Sequence, residues 1–120
     1  MAVMSGVNFM WVKIQQPDEY RGKQSWQVSI DPTKEQDKFC KSIGMKKNDN
    51  GLYRFKRACK WPSGEDRDQP KVVDSNKNPI SALVGNGSKG NIQYKIIEGT
   101  NADGPYKMFD LCAIQVTELI

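Results

Sequence analysis

Hydrophobic and polar residues alternate with a period of two through most of this chain and with a helical period in only one place. Side chains along a strand alternate between faces, so residues 3–14, 25–30, 52–61, 91–97 and 106–119 read as strands, with a shorter one at 71–74. In the first, Met10, Val12 and Ile14 share one face and Phe9, Trp11 and Lys13 the other, and either set can be the core, because a one-residue slip exchanges the faces. Trp26, Val28 and Ile30 share a face in the second, and Ile92, Tyr94 and Ile96 in the fourth. The stretch LYRFKRACKW at 52–61 is the most informative. It sets Tyr53, Phe55, Cys59 and Trp61 against Arg54, Lys56, Ala58 and Lys60, and Arg57 interrupts the apolar row. The last strand is long enough to bend or carry a bulge.

The helical stretch starts at Asp31-Pro32 and is expected to run to about Ile43. Asp accepts hydrogen bonds from first-turn amides, and Pro at the first helical position loses no needed donor. Phe39, Cys40 and Ile43 fall on one face, and Gly44 supplies the stop. Between these elements, residues 15–24 read as a projecting loop and Asn48-Asp49-Asn50-Gly51 as a turn. The polar run 62–70 reads as a mobile loop. The glycine-rich run 85–90 has Lys and Ser, yet its spacing is not that of a phosphate-binding loop and a strand follows it rather than a helix. It reads as a turn. Five or six strands, one short helix and one small core give an all-β chain, best fitted by a five-stranded OB-fold, a Greek-key barrel, with a β-sandwich as the alternative.

A length of 120 residues suits one domain spanning 1–120. No apolar run approaches a membrane span, and the start lacks a basic and then apolar leader, so the protein is expected to stay in the compartment where it is made. Cys40, Cys59 and Cys112 match no zinc spacing, and with no histidine in the chain they read as reduced, mostly buried thiols. Absence of histidine also removes the commonest acid-base residue and the usual triads, and no paired carboxylates stand out, so no catalytic site, metal or cofactor is expected. The net charge of +4 is unevenly placed: residues 1–61 carry 12 cations and 6 anions, residues 62–120 carry 6 and 8. A basic first half is compatible with an acidic partner.

Cations interleaved with aromatics suit a polyanion with flat bases, because phosphates attract the cations and every base offers a face for stacking. Arg54, Lys56 and Lys60, helped by Lys13, Lys71, Lys89 and Lys95, are the candidates for phosphate. Trp11, Trp26, Tyr53, Trp61, Tyr94 and Tyr106 form the pool from which stacking residues come, part of which is core. An RNA-binding module of cold-shock type would use the same surface. A module that binds a host protein would instead need a contiguous apolar patch.

Four runs in this order resemble the single-stranded DNA-binding proteins of short-tailed phages: YRFKRACKW at 53–61, KVVDSNKNPI at 71–80, VGNGSKGNIQYKI at 84–96 and IQVTEL at 114–119. The first half matches more loosely, through the strand at 9–14, Pro17-Asp18 and SWQVSIDP at 25–32. About two thirds of the chain is covered, with no single diagnostic motif. The resemblance implies an OB-fold that coats single-stranded DNA without base preference during phage replication and recombination. It places the protein in the host bacterial cytoplasm, as a monomer or dimer, with a polymerase or helicase as further partners. Members of that family end in a long acidic tail, whereas this chain ends at Thr117-Glu118-Leu119-Ile120, so the resemblance brings neither tail-mediated partner binding nor a tail-mediated dimer contact to it.

Overall fold

In the computed structural model, which describes residues 2–61 and 63–120, the alternation over 3–14 survives only in pieces because the strand is bulged twice there. Strand β1, Ala2–Tyr20, pairs its first half with β5, Lys89–Asn101, and its second half with β2, Lys23–Asp31. Of its three register shifts, one falls between Met4 and Val7, at Gly6 with φ 63°, one between Met10 and Lys13, at Trp11 with φ 51°, and the third beyond 3–14, between Lys13 and Asp18. Each bulge reverses the phase of the residues after it. Val7, Phe9 and Ile14 are therefore all core while Trp11 is exposed, an outcome that neither simple register gives.

The projecting loop expected at 15–24 is instead a hairpin arm. Asp18, Glu19 and Tyr20 pair with Ser25, Gln24 and Lys23. Arg21 and Gly22, both at positive φ, form the two-residue turn that the strand twist favours. The helix α1, Lys34–Ser42, begins later than Asp31-Pro32. Asp31 closes β2, and Thr33 is the N-cap in a capping box with Gln36. Cys40 is its buried anchor and Ile43 packs against the core, but Phe39 is exposed. Gly44, at φ 91°, follows the C-cap as expected.

Strand β3, Tyr53–Ala58, pairs with β2, and β6, Gly104–Glu118, pairs with β5. A parallel pair, Lys56 with Asp110, joins β3 to β6. The circuit β1-β2-β3-β6-β5 thus closes on itself, as the five-stranded OB reading requires. The short β4, Lys71–Asp74, adds itself to β6 in parallel. Val7, Phe9, Ile14, Val28, Ile30, Phe55, Ile92, Leu111 and Ile114 fill the interior.

Candidate nucleic-acid interface

Two of the expected stacking residues are core. Tyr53 is fully buried, and its hydroxyl donates to Asp37 Oδ1 at 2.6 Å, joining β3 to the helix. Tyr94 is 1% exposed, with its ring centroid 5.1 Å from that of Phe55. Both lie on the inward face of their strands, where burial favours the uncharged phenol and raises its pKa. For Tyr53 the neighbouring Asp37 adds to the effect. Asp37 is pushed the other way, well below the usual carboxylate range, by the hydrogen bond from Tyr53 and then by Lys47 at 2.9 Å. Trp26 is half-buried, opposite Arg57 on the neighbouring strand.

Trp61 and Trp11 are exposed, at 48% and 53%. Trp61 stands just beyond β3 at the head of a loop whose residues 63–70 are tied down rather than loose. The amide of Trp61 donates to Glu65 O, that of Arg67 to Cys59 O, and the Gln69 side chain to Ile14 O. Arg67 turns back beneath the loop and lays its guanidinium on the indole, 4.0 Å from the ring centroid. Such a contact is attractive because the cation sits over the electron-rich face. It covers one face of Trp61, and the residue keeps 48% of its surface in solvent.

Arg67 is held by Asp110, which also holds Arg57. Arg67 Nη2 lies 3.1 Å from both carboxylate oxygens; Arg57 Nη2 reaches Oδ2 at 2.8 Å and its Nε reaches Oδ1 at 3.3 Å. Asp110 is 2% exposed. Two guanidiniums on one buried carboxylate leave a local positive excess, and Arg67 Nε–H is buried there without a hydrogen-bond partner among the described residues. Arg57 is the residue that interrupted the apolar row, and this cluster is the reason. Arg67 and Asp110 carried no comparable mark in the sequence.

Arg57, Trp61 and Arg67 line a cleft of ≈ 720 Å³ between this loop and the outer face of β5 and β6, with Lys71 and Lys95 in its walls. Lys71 and Gln93 both pair with Ala113, and Lys95 pairs with Asp110, so these residues share one face of the sheet. Among the described residues neither lysine makes an ion pair. Asp66 and Asp68 also line the cleft; Asp66 sits 3.4 Å from Lys60.

The remaining cations lie elsewhere. Lys13 and Lys56 flank Gln27 across β1, β2 and β3, and Arg54 pairs with Ser29, forming a second basic surface on the outer face of those strands. Lys13 is engaged with Asp18 at 3.3 Å and Lys89 with Glu118 at 3.9 Å. Tyr106 lies far out on the hairpin of β5 and β6. The glycine-rich run cradles no anion, since its amides are engaged within the fold: Gly85 N–H donates to Ile120 O, Gly87 N–H to Phe9 O and Ser88 N–H to Gly85 O. Among the described residues no helix is long and apolar enough to cross a membrane.

A closed five-stranded circuit with one capping helix is an OB-fold. Neither a family model nor a curated protein sequence matches the chain. Among solved structures it is similar to the gp2.5 single-stranded DNA-binding protein of bacteriophage T7, with TM-score 0.66 and 16% identity over 99% of this chain and 87% of that one. It is also similar to the single-stranded DNA-binding protein of bacteriophage Enc34 in complex with single-stranded DNA, with TM-score 0.68 and 11% identity over 97% of this chain and 85% of the other. At these identities the likeness is one of fold: the structural neighbours of this chain are phage single-stranded DNA-binding proteins, as the sequence resemblance implies.

Proposed function

We propose that this protein binds single-stranded DNA without base preference and coats exposed strands during phage replication and recombination. The observation that carries the reading is the exposed indole of Trp61, standing in a cleft with two lysines, Lys71 and Lys95, that make no ion pair among the described residues. Bases stack on the indole while the lysines take phosphates, with Arg54 and Lys56 on the adjoining surface extending the basic field. A duplex hides its base faces and cannot use Trp61 this way. The Enc34 neighbour, whose structure is that of a complex with single-stranded DNA, has the same fold, which supports the assignment.

Tryptophan fluorescence titrated with oligo-dT, oligo-rU and duplex DNA at low and high salt tests it. The expected result is quenching by dT that weakens with salt, a weaker response to rU and the weakest to duplex. Stronger binding of rU would move the reading to an RNA-binding module. Flat titrations with folded protein at low salt would overturn nucleic-acid binding altogether.

A further inference from the structure

The outer face that forms the floor of the cleft does not stop at the cleft. Beyond Lys95 and Asp110, the next pairs on the same face are Ile97 with Met108 and then Gly99 with Tyr106. Met108 and Tyr106 are exposed, at 47% and 39%. Gly99 determines what Tyr106 can do. A Cβ built on Gly99 would sit 2.5 Å from the Tyr106 hydroxyl oxygen, 2.6 Å from Cζ and 2.8 Å from Cε1. The ring therefore lies across the bare backbone of the partner strand, in space that any side chain at 99 would fill. Gly99 is not at positive φ, so a side chain here would displace the ring rather than strain the backbone. A phenol ring resting against a strand backbone, with part of its surface in solvent, can serve as a stacking platform.

We infer that the Gly99–Tyr106 pair is a second base-stacking station, and that one DNA strand runs from Trp61 along the outer face of β5 and β6 to Tyr106. This rests on the single-strand reading above and adds its path. The track from Gln93 to Gly99 is about 20 Å long at about 3.3 Å per residue. It has cations at the cleft end, Lys71 and Lys95 above the arginine cluster, and an apolar middle at Ile97 and Met108, over which unstacked bases can lie. A strand that follows it exposes bases to an aromatic ring at each end. The occupant is single-stranded nucleic acid because the charge is positive where phosphates enter and the two aromatic stations need open base faces.

The test is the fluorescence anisotropy of end-labelled dT3, which is too short to span the track, and of end-labelled dT10, which spans it, using the wild type, Tyr106→Ala, Gly99→Ala, Tyr106→Phe and Trp61→Ala. Tyr106→Ala and Gly99→Ala are expected to weaken dT10 binding by about five-fold to a hundred-fold, the effect of losing one base–aromatic stack. They should leave dT3 binding unchanged, and Tyr106→Phe should behave as wild type. Thermal melts establish that each variant is folded, and Gly99→Ala and Tyr106→Ala disturb the ring by independent routes. If both bind dT10 like wild type while Trp61→Ala does not, the second station is wrong and the cleft reading stands. If Trp61→Ala also binds dT10 like wild type, the cleft reading fails and the path fails with it.

Discussion

The backbone N–H of Trp11 donates to Asn86 Oδ1 at 2.7 Å, joining residues 75 apart in the chain. A bulge removes one amide from the ladder, and here the side chain of Asn86 satisfies it. The glycine-rich run thus serves as a clamp on β1 that fixes the bulge from which Trp11 projects.

Asn86→Ala should therefore loosen the bulge without unfolding the barrel. Losing a hydrogen bond of about 1 kcal/mol predicts amide hydrogen exchange at Trp11 faster by about five-fold, with Asn86→Asp keeping the acceptor and the protection. Unchanged exchange in Asn86→Ala would mean the bulge is held by β1 and β2 alone.

Asp110 is the member of the arginine cluster that cannot be spared. Asp110→Ala leaves two guanidiniums buried without their anion, which typically costs about 3–5 kcal/mol, readable as a large fall in the urea midpoint. Arg67→Met keeps the Arg57 pair and should cost less. It should also leave the Trp61 indole less ordered, visible as lower fluorescence anisotropy in a protein whose other two tryptophans are phenylalanine. A loss below about 1 kcal/mol for Asp110→Ala, the range of exposed pairs, would show that the cluster is solvated.

Cations and aromatics should separate in salt titrations. Lys71→Ala and Lys95→Ala should each reduce the slope of log K against log salt by about 0.7, whereas Trp61→Ala should lower affinity at every salt and leave the slope alone. Lys60→Ala and Lys89→Ala should change it less, because Asp66 and Glu118 already face those lysines. Equal slopes for all four lysine variants would remove the cleft from the binding surface.

The acid limb of stability should carry the signature of Asp37. Its pKa is lowered in the folded protein, first by the Tyr53 hydroxyl and then by Lys47, so its contribution is present above the unfolded value of about 3.9 and is lost as pH falls through the lower folded value. Thermal melts from pH 6 downward should show a steepening loss below about pH 4 that Tyr53→Phe flattens. A parallel pH dependence in that variant would mean that the hydrogen bond does not set the ionisation. Cys40 gives the alkaline counterpart: burial, then the Asp37 charge, raises its thiol from 9.0 to about 11. It should resist alkylation in folded protein near pH 9.

Much of the fold was legible because strands and helix each have a period. The inward rows Val28 and Ile30, Ile92 and Tyr94, and the stop at Gly44 follow from the sequence pattern. Residues 3–20 did not, because a bulge is a two-strand event: the extra residue is defined only against β2 or β5, and no period within β1 announces it. The helix start moved for a smaller reason, since Thr33 with Gln36 forms a capping box that outcompetes Asp31 once Asp31 is bound into β2. In the candidate site, Lys71, Lys95 and Trp61 were legible as residue types but not as neighbours. Their meeting depends on Ala113 and Asp110, which carry no such signal. Arg57 marked itself by standing in an apolar row, whereas Arg67, in a loop read as mobile, and Gly99, whose role is to leave room, did not.

The barrel's last joint is a single parallel pair, Lys56 with Asp110, and the side-chain clasp of Arg57 and Arg67 on Asp110 completes what the backbone barely closes. That seam lies at the edge of the cleft proposed to hold DNA, so a strand seated there would span the two elements it joins. Occupancy and barrel integrity become linked quantities: breathing at the seam competes with binding, and a saturated protein is the more durable one. On a covered strand, protection would run in both directions, with the nucleic acid keeping its own coat folded.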